Sequence, residues 1–299
     1  VDIAITGSSG LIGSALRRRL AAAGHRVLSV VRPSTTDTTG DTVTWDPVAG
    51  RIDAAALEGV DAVVNLAGEG IGERRWSTEQ KQRIRDSRVR GTTLLAETLA
   101  ALDRPPSVFL SGSAIGYYGD TGDEVVDESR PPGTDFLAQV CVDWEAATGA
   151  ASDAGIRTAL LRTGIVLDAD GGALGKQLTF FKLGLGGRSG SGRQFWSWIT
   201  LADQVAAIEF LLTAEVAGPV NLTAPNPATN AEFARTLGRV LGRPTTVIPM
   251  IGPRLLLGRE LADSLLLTSQ RVVPRVLESA GFGFSDPELE PALRGVLGR

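Results

Sequence analysis

The sequence predicts an α/β protein built on a parallel sheet, and three observations carry the prediction. Short apolar runs alternate with longer stretches whose apolar residues recur near the helical period of about 3.6. A glycine-rich turn, Gly7-Ser8-Ser9-Gly10-Leu11-Ile12-Gly13, joins the first apolar run to the first helical stretch. The 299 residues are 43% hydrophobic and 21% charged, enough apolar matter for a sizeable core. Strands alternating with helices give right-handed βαβ units, hence a Rossmann-type, doubly wound parallel sheet.

In chain order, Val1–Thr6 reads as a short buried strand ended by glycine. Leu11–Ala23 reads as a helix, with Leu11, Ile12, Ala15, Leu16 and Leu20 on one face, and Gly24 stops it. Val27–Val31 and Val60–Leu66 are further strands. Thr78–Leu102 is a long helix with a charged first half, and Ser107–Ser111 a strand. Phe136–Ser152 reads as one helix and Thr158–Leu161 as a strand. Asp168–Gln194 is glycine-rich and reads as a long functional loop. Ala202–Leu212 is helical and Val220–Leu222 a strand. From Asn226 onward, helical segments are punctuated by prolines. The expected organisation is a nucleotide-binding domain of residues 1–165 plus 201–222. A smaller, mainly helical C-terminal lobe of 166–200 plus 223–299 would hold the substrate.

Composition excludes several function classes. The formal charge is −4 with no long run of one sign, so nucleic acid is not an expected partner. One cysteine, Cys141, and one histidine, His25, cannot build a disulfide framework or a His/Cys zinc site. His25 follows Gly24 between a helix and a strand, far in sequence from any candidate serine, which argues against a Ser-His-Asp triad. No stretch of about 20 apolar residues could span a membrane, so none is an expected partner. With no signal-peptide pattern, a soluble cytoplasmic protein is expected.

The glycine turn carries the first chemistry. Glycines allow a tight turn, close approach of a pyrophosphate, and packing of helix on strand. The helix N-terminus then offers free N–H groups and partial positive charge to phosphates. The residue ending the second strand selects the nucleotide: an acid would take the ribose hydroxyls, an arginine a 2′-phosphate. Val30-Val31-Arg32-Pro33 presents arginine, with no acid before Asp37. NADP(H) is therefore expected over NAD(H).

These residues resemble a known superfamily. TGSSGLIG at 6–13, DAVVNLAG at 61–68 and SGSAIGYYG at 111–119 are similar to the extended short-chain dehydrogenases/reductases. GERRWS at 72–77, SRVRGT at 87–92, FLAQVCVDWE at 136–145, LRTGIVL at 161–167 and GSGRQFWSWI at 190–199 resemble its atypical "epimerase family" branch. So do NLTAPNPATNAEF at 221–233 and QRVVPRVLESAGFGF at 270–284. That branch carries the label of nucleoside-diphosphate-sugar epimerases. The resemblance implies that Gly7, Gly10, Leu11, Ile12 and Gly13 line the pyrophosphate and Arg32 meets the 2′-phosphate. It implies that Leu66, Ala67 and Gly68 flank the adenosine half, with Glu69 facing cofactor or substrate. Arg88 would be a cofactor contact, and Val166 would lie near the nicotinamide.

The catalytic pattern departs from the superfamily. Its usual chemistry uses a Ser/Thr with a Tyr-x-x-x-Lys pair on one helix, the tyrosine as acid/base and the lysine lowering its pKa. Here Leu137 and Cys141 occupy those two places, and Ser113 matches the serine. Tyr117 and Tyr118 are the chain's two tyrosines. Tyr117 is the candidate substitute acid, beside the alternative that a tyrosine here only packs. Lys176 and Lys182, in the glycine-rich segment, could reach the cleft; Lys81 could not. Glu69, Arg74, Arg75, Trp76, Asp120, Arg188, Arg193, Trp196 and Trp198 are further cleft candidates, the Arg-Arg-Trp run for an anionic group. Two readings follow. One is an NADP(H)-binding oxidoreductase or sugar-nucleotide epimerase acting on a small molecule. The other is a non-catalytic NADP(H)-binding sensor or scaffold. The long helices at 78–102 and 136–152 resemble those that pair in superfamily dimers, which admits a homodimer.

Overall fold

The computed structural model describes residues 1–33 and 41–299. Asp37 lies outside them. The chain opens with β1 (Asp2–Thr6), α1 (Leu11–Ala22), β2 (Arg26–Val31), β3 (Thr42–Asp46), β4 (Arg51–Ile52) and β5 (Ala62–Asn65). Next come α2 (Thr78–Ala100), β6 (Val108–Ala114), β7 (Val125–Val126), α3 (Phe136–Ala146), α4 (Gly149–Asp153) and β8 (Arg157–Thr163). Then follow β9 (Ile165–Leu167), α5 (Gly172–Lys182), β10 (Gly187–Ser189), β11 (Phe195–Trp196), β12 (Trp198–Thr200), α6 (Leu201–Thr213) and β13 (Gly218–Leu222). The chain closes with β14 (Ala228–Thr229), α7 (Asn230–Leu241), β15 (Thr246–Ile248), α8 (Ile251–Leu257), α9 (Arg259–Leu266), β16 (Arg271–Val272), α10 (Arg275–Ser279) and α11 (Leu289–Leu297).

Eight strands form one sheet in the order β13-β8-β6-β5-β1-β2-β3-β4. Every pairing is parallel except β3 with β4. Strand order therefore reverses between β1 and β5, the switch point at which doubly wound sheets bind ligands beyond their carboxyl ends. The central strands carry apolar runs, as burial on both faces requires: Ile3, Ala4 and Ile5 of β1 and Val63 and Val64 of β5 are wholly buried. One core cluster joins β1, β5, β6 and β8 to α1 and α6; another joins β2, β3 and α2 on the opposite face. A separate core, with Leu174, Leu178, Phe181, Trp198, Phe233 and Leu293, organises the C-terminal part. α10 crosses back, burying Leu277 in the sheet's own core.

Three segments differ from the expectations above. Residues 136–152 form two helices, because the Thr148 hydroxyl bonds the Glu145 carbonyl at 2.8 Å and diverts the backbone. Residues 168–194 are not one loop. Leu174, Leu178 and Phe181 share the buried face of α5, and that burial outweighs a glycine cost of about 1 kcal/mol per residue. Thr42–Asp46 is a strand that buries only Val43 and Trp45, too brief an alternation to stand out.

Candidate active site

The site grows from the carboxyl ends of β1 and β5. Gly7 has φ +66°, and a Cβ there would lie 2.8 Å from the Leu66 carbonyl carbon. A Cβ on Gly13 would lie 2.1 Å from the Gly7 oxygen, so this helix can approach the strand only as glycine. Gly10 N–H closes the turn on Gly7 O at 3.0 Å. Gly10 caps α1 with no side-chain acceptor. Among the described residues, the N–H groups of Leu11, Ile12 and Gly13 have no hydrogen-bond acceptor. Three free donors at a helix N-terminus suit a phosphate group.

The neighbouring turn is held by a buried relay. The Trp144 indole donates to Thr92 Oγ1 (2.9 Å), and Asn65 Nδ2 donates to the same oxygen (2.8 Å). Thr6 Oγ1 donates to Asn65 Oδ1 (2.7 Å) and accepts the N–H groups of Leu66 (3.0 Å) and Ala67 (3.1 Å). Leu66, Ala67 and Gly68 are thereby fixed beside the glycine turn. Arg88 comes under them from α2, donating to Glu69 O (2.9 Å) and Ile84 O (3.0 Å), and a Cβ on Gly68 would lie 3.1 Å from its Cζ. Its guanidinium lies 5.1 Å from the Trp144 ring centre, and burial pulls its pKa below the ordinary value. Glu69 points to α2, where Gln80 donates to it at 2.8 Å. Arg32 stands exposed just past β2. Val166 lies in β9, which leads into Gly171; a Cβ there would lie 2.9 Å from Leu11 Cδ1. The C-terminal part thus closes over the start of α1.

Beneath the cleft lies a polar network that the sequence reading missed. Arg162 binds Glu145 with Nε and Nη2, both at 2.8 Å; Arg162 is buried and Glu145 largely so. Ser113 Oγ donates to Glu145 Oε1 at 2.7 Å, so its hydrogen is committed and only its lone pairs face other groups. Arg162 Nη1 donates to the Tyr118 hydroxyl (3.0 Å), which donates to Asn221 Oδ1 (2.7 Å). Burial pushes the Tyr118 phenol up to about 12, so it stays protonated. Burial alone would lower the Arg162 pKa; the bonds to Glu145 outweigh it and hold it above the ordinary value. Glu128 Oε1 accepts the N–H groups of Asn221 and Val276, while its Oε2 is buried with no hydrogen-bond partner among the described residues, and burial raises its pKa. The available signal was an arginine inside the apolar run Ala159-Leu160-Leu161-Arg162-Thr163. A charge on an interior strand needs a buried partner.

Tyr117 is half-buried, with the Arg162 guanidinium 3.4 Å from its ring centre and Tyr118 edge-on at 5.4 Å. Its hydroxyl has no hydrogen-bond partner among the described residues. Leu137 and Cys141 face the same region: a Cβ on Gly116 would lie 3.5 Å from Leu137 Cβ and 3.8 Å from the Cys141 sulfur. Burial, then the Glu145 charge, pushes the Cys141 thiol up to about 12. The thiol is inert and cannot replace a lysine. Other cleft candidates are engaged elsewhere. Arg75 donates to the carbonyls of Leu255 and Leu256, and Trp76 packs edge-on against Phe136 at 5.0 Å. Lys81 pairs with Glu260, and Lys176 and Lys182 lie exposed on α5. Trp196 and Trp198 are buried in the C-terminal core, and Arg188 bonds the Gly190 carbonyl at 2.5 Å. Arg74, Asp120 and Arg193 are exposed.

Known proteins are similar to this chain over nearly its whole length. Residues 3–223 match the NAD dependent epimerase/dehydratase family, and residues 248–296 match a domain of unknown function. The epimerase family protein Mb2239 of Mycobacterium bovis is 48% identical over 293 residues, 97% of this chain and 96% of that protein. The crystal structure of human epimerase family protein SDR39U1 with NADPH superposes with a TM-score of 0.91 at 36% identity, covering 100% of both chains. A nucleoside-diphosphate sugar epimerase from Corynebacterium glutamicum matches with a TM-score of 0.81 at 38% identity, over all of this chain and 58% of that one. The switch-point glycine turn, the sheet order and these matches agree: the chain belongs to the NAD dependent epimerase/dehydratase family.

Proposed function

We propose that this chain binds NADP(H) across the switch point and acts as an oxidoreductase or epimerase on a small molecule. One observation carries the reading: a glycine turn that leaves the Leu11, Ile12 and Gly13 N–H groups free, beside an exposed Arg32 at the end of β2. The residues present fit the dinucleotide. Gly7, Gly10 and Gly13 leave backbone exposed where side chains would collide, and three donors converge for a pyrophosphate. Arg32 takes the 2′-phosphate; Leu66, Ala67, Gly68 and Glu69 border the adenosine half; Arg88 braces that turn; Val166 borders the nicotinamide end. The human relative crystallised with NADPH supports the choice of nucleotide.

Bound NADPH would supply a hydride. Proton movement falls to this chain's own side chains. Tyr117 is the group for it: its hydroxyl has no hydrogen-bond partner among the described residues, and the Arg162 guanidinium lies 3.4 Å from its ring centre. Ser113 can only accept a hydrogen bond, which suits orienting a substrate hydroxyl. The second reading, a cofactor-binding sensor without turnover, draws on Leu137 and on Cys141 with its inert thiol.

Calorimetric titration tests the first step. NADPH is expected to bind at least tenfold tighter than NADH, and Arg32→Ala to erase that preference, since a charge-assisted bond contributes about 1.5–3 kcal/mol. Equal affinities in the unmutated protein would refute the role of Arg32. Fluorescence of NADPH against a panel of ketones and keto sugars then separates the two readings. Turnover is expected, and Tyr117→Phe should lower it by about a hundredfold or more while NADPH affinity holds. Binding with no turnover on any carbonyl favours the sensor.

A further inference from the structure

Among the described residues, ten large hydrophobic side chains stand exposed, and seven of them fall in two segments of the C-terminal part, 180–185 and 247–256. Phe180, Leu183 and Leu185 come from the end of α5; Val247 from β15; Ile251, Leu255 and Leu256 from α8. The parallel pairing of β10 with β15, with Thr246 N–H on Gly186 O at 3.0 Å, brings the two segments together. Pro244 lies within 3.7 Å of where a Gly184 Cβ would stand. α8 buries none of its residues, and Ile251 and Leu255 are 71% and 72% exposed. Solvent-facing apolar clusters of this kind are uncommon on isolated proteins and mark contact surfaces.

The charge of the same face says what covers it. Residues 171–202 and 233–259 carry Lys176, Lys182, Arg188 and Arg193, then Arg235, Arg239, Arg243, Arg254 and Arg259, and no Asp or Glu, in a chain of net charge −4. Arg239 pairs with Glu290 of α11, Arg254 with Asp263 of α9, and Arg259 with Asp263 of its own helix. Lys176, Lys182 and Arg243 are exposed, with no ion pair among the described residues. We propose that this face docks peripherally on an anionic lipid bilayer, with Leu183, Leu185, Ile251, Leu255 and Leu256 entering the headgroup boundary and Lys176, Lys182 and Arg243 meeting lipid phosphates. Apolar side chains ringed by lysine and arginine are what an anionic interface holds. A second copy is the poorer occupant: a two-fold contact sets this face against itself and opposes like charges. No described helix is long and apolar enough to cross a membrane, and a peripheral contact needs none. The expectation of no membrane partner rested on that missing span.

Sedimentation with vesicles tests the assignment. The probes are phosphatidylcholine alone and phosphatidylcholine with about one-third phosphatidylserine. The protein is expected to sediment with the anionic vesicles only and to release at high salt. Leu255→Ser with Leu256→Ser, and separately Lys176→Glu with Lys182→Glu, should each weaken binding by at least about tenfold. All four side chains are exposed, so thermal melts should be unchanged. Absence of sedimentation, or equal binding to both vesicles that the charge variant does not alter, overturns the proposal. So does a dimer on gel filtration that the leucine variant dissociates, which would give the face to a second copy.

Discussion

Arg162→Ala is expected to cost about 3–5 kcal/mol of folding stability, read as the shift in a urea unfolding curve. Arg162 is buried and Glu145 largely so, their side chains 4% and 10% exposed, and they share two bonds of 2.8 Å. Removing the guanidinium leaves a carboxylate with, among the described residues, only Ser113 for a partner and strips the Tyr118 hydroxyl of a donor. An unpaired buried charge accounts for most of the loss. The double variant Arg162→Met with Glu145→Leu should recover much of it, because it removes both charges and keeps volume. A double variant no more stable than the single would show that the pair itself, and not the orphaned charge, holds the fold. An Arg162→Ala variant within about 1 kcal/mol of the parent would show that water reaches Glu145.

Gly13→Ala is expected to abolish NADPH binding while leaving a folded protein. The added methyl would sit 2.1 Å from the Gly7 oxygen, where carbon–oxygen contacts normally run about 3.3–3.6 Å. α1 must retreat by about an ångström, at an overpacking cost of about 1–3 kcal/mol. The retreat carries the Leu11 and Ile12 N–H groups away from any phosphate. With two such bonds weakened, the Kd for NADPH should rise at least about a hundredfold. Gly149→Ala is the control: a Cβ there meets nothing within 4 Å, and its φ is not in the left-handed region. Retained NADPH affinity in Gly13→Ala would remove the pyrophosphate from this turn.

Much of the nucleotide half was legible in the sequence because its signals are local. A strand, a turn with three spaced glycines and an amphipathic helix all fall within Asp2–Ala22. Their geometry follows from hard-sphere contacts between residues a few positions apart, at Gly7 and Gly13 above all. Arg32 was legible for the same reason, as the residue ending a short apolar strand. The helix of Gly172–Lys182 was not, because its stability comes from a core assembled with α7 and α11, far along the chain.

The sequence by itself determined the parallel-sheet class, the glycine cradle and the loss of the Tyr-x-x-x-Lys pair. Each depends on residue type at short spacing, where sterics and backbone hydrogen bonding decide. Tertiary structure alone decided what lies under the cleft and what faces outward. Ser113 and Arg162 meet because β6 and β8 pair in that register; Glu145 reaches them from α3, and Asn221 from β13. The basic, apolar face likewise exists only because β10 pairs with β15. Strand pairing and burial between residues tens of positions apart set both, and neither leaves a periodic trace along the chain.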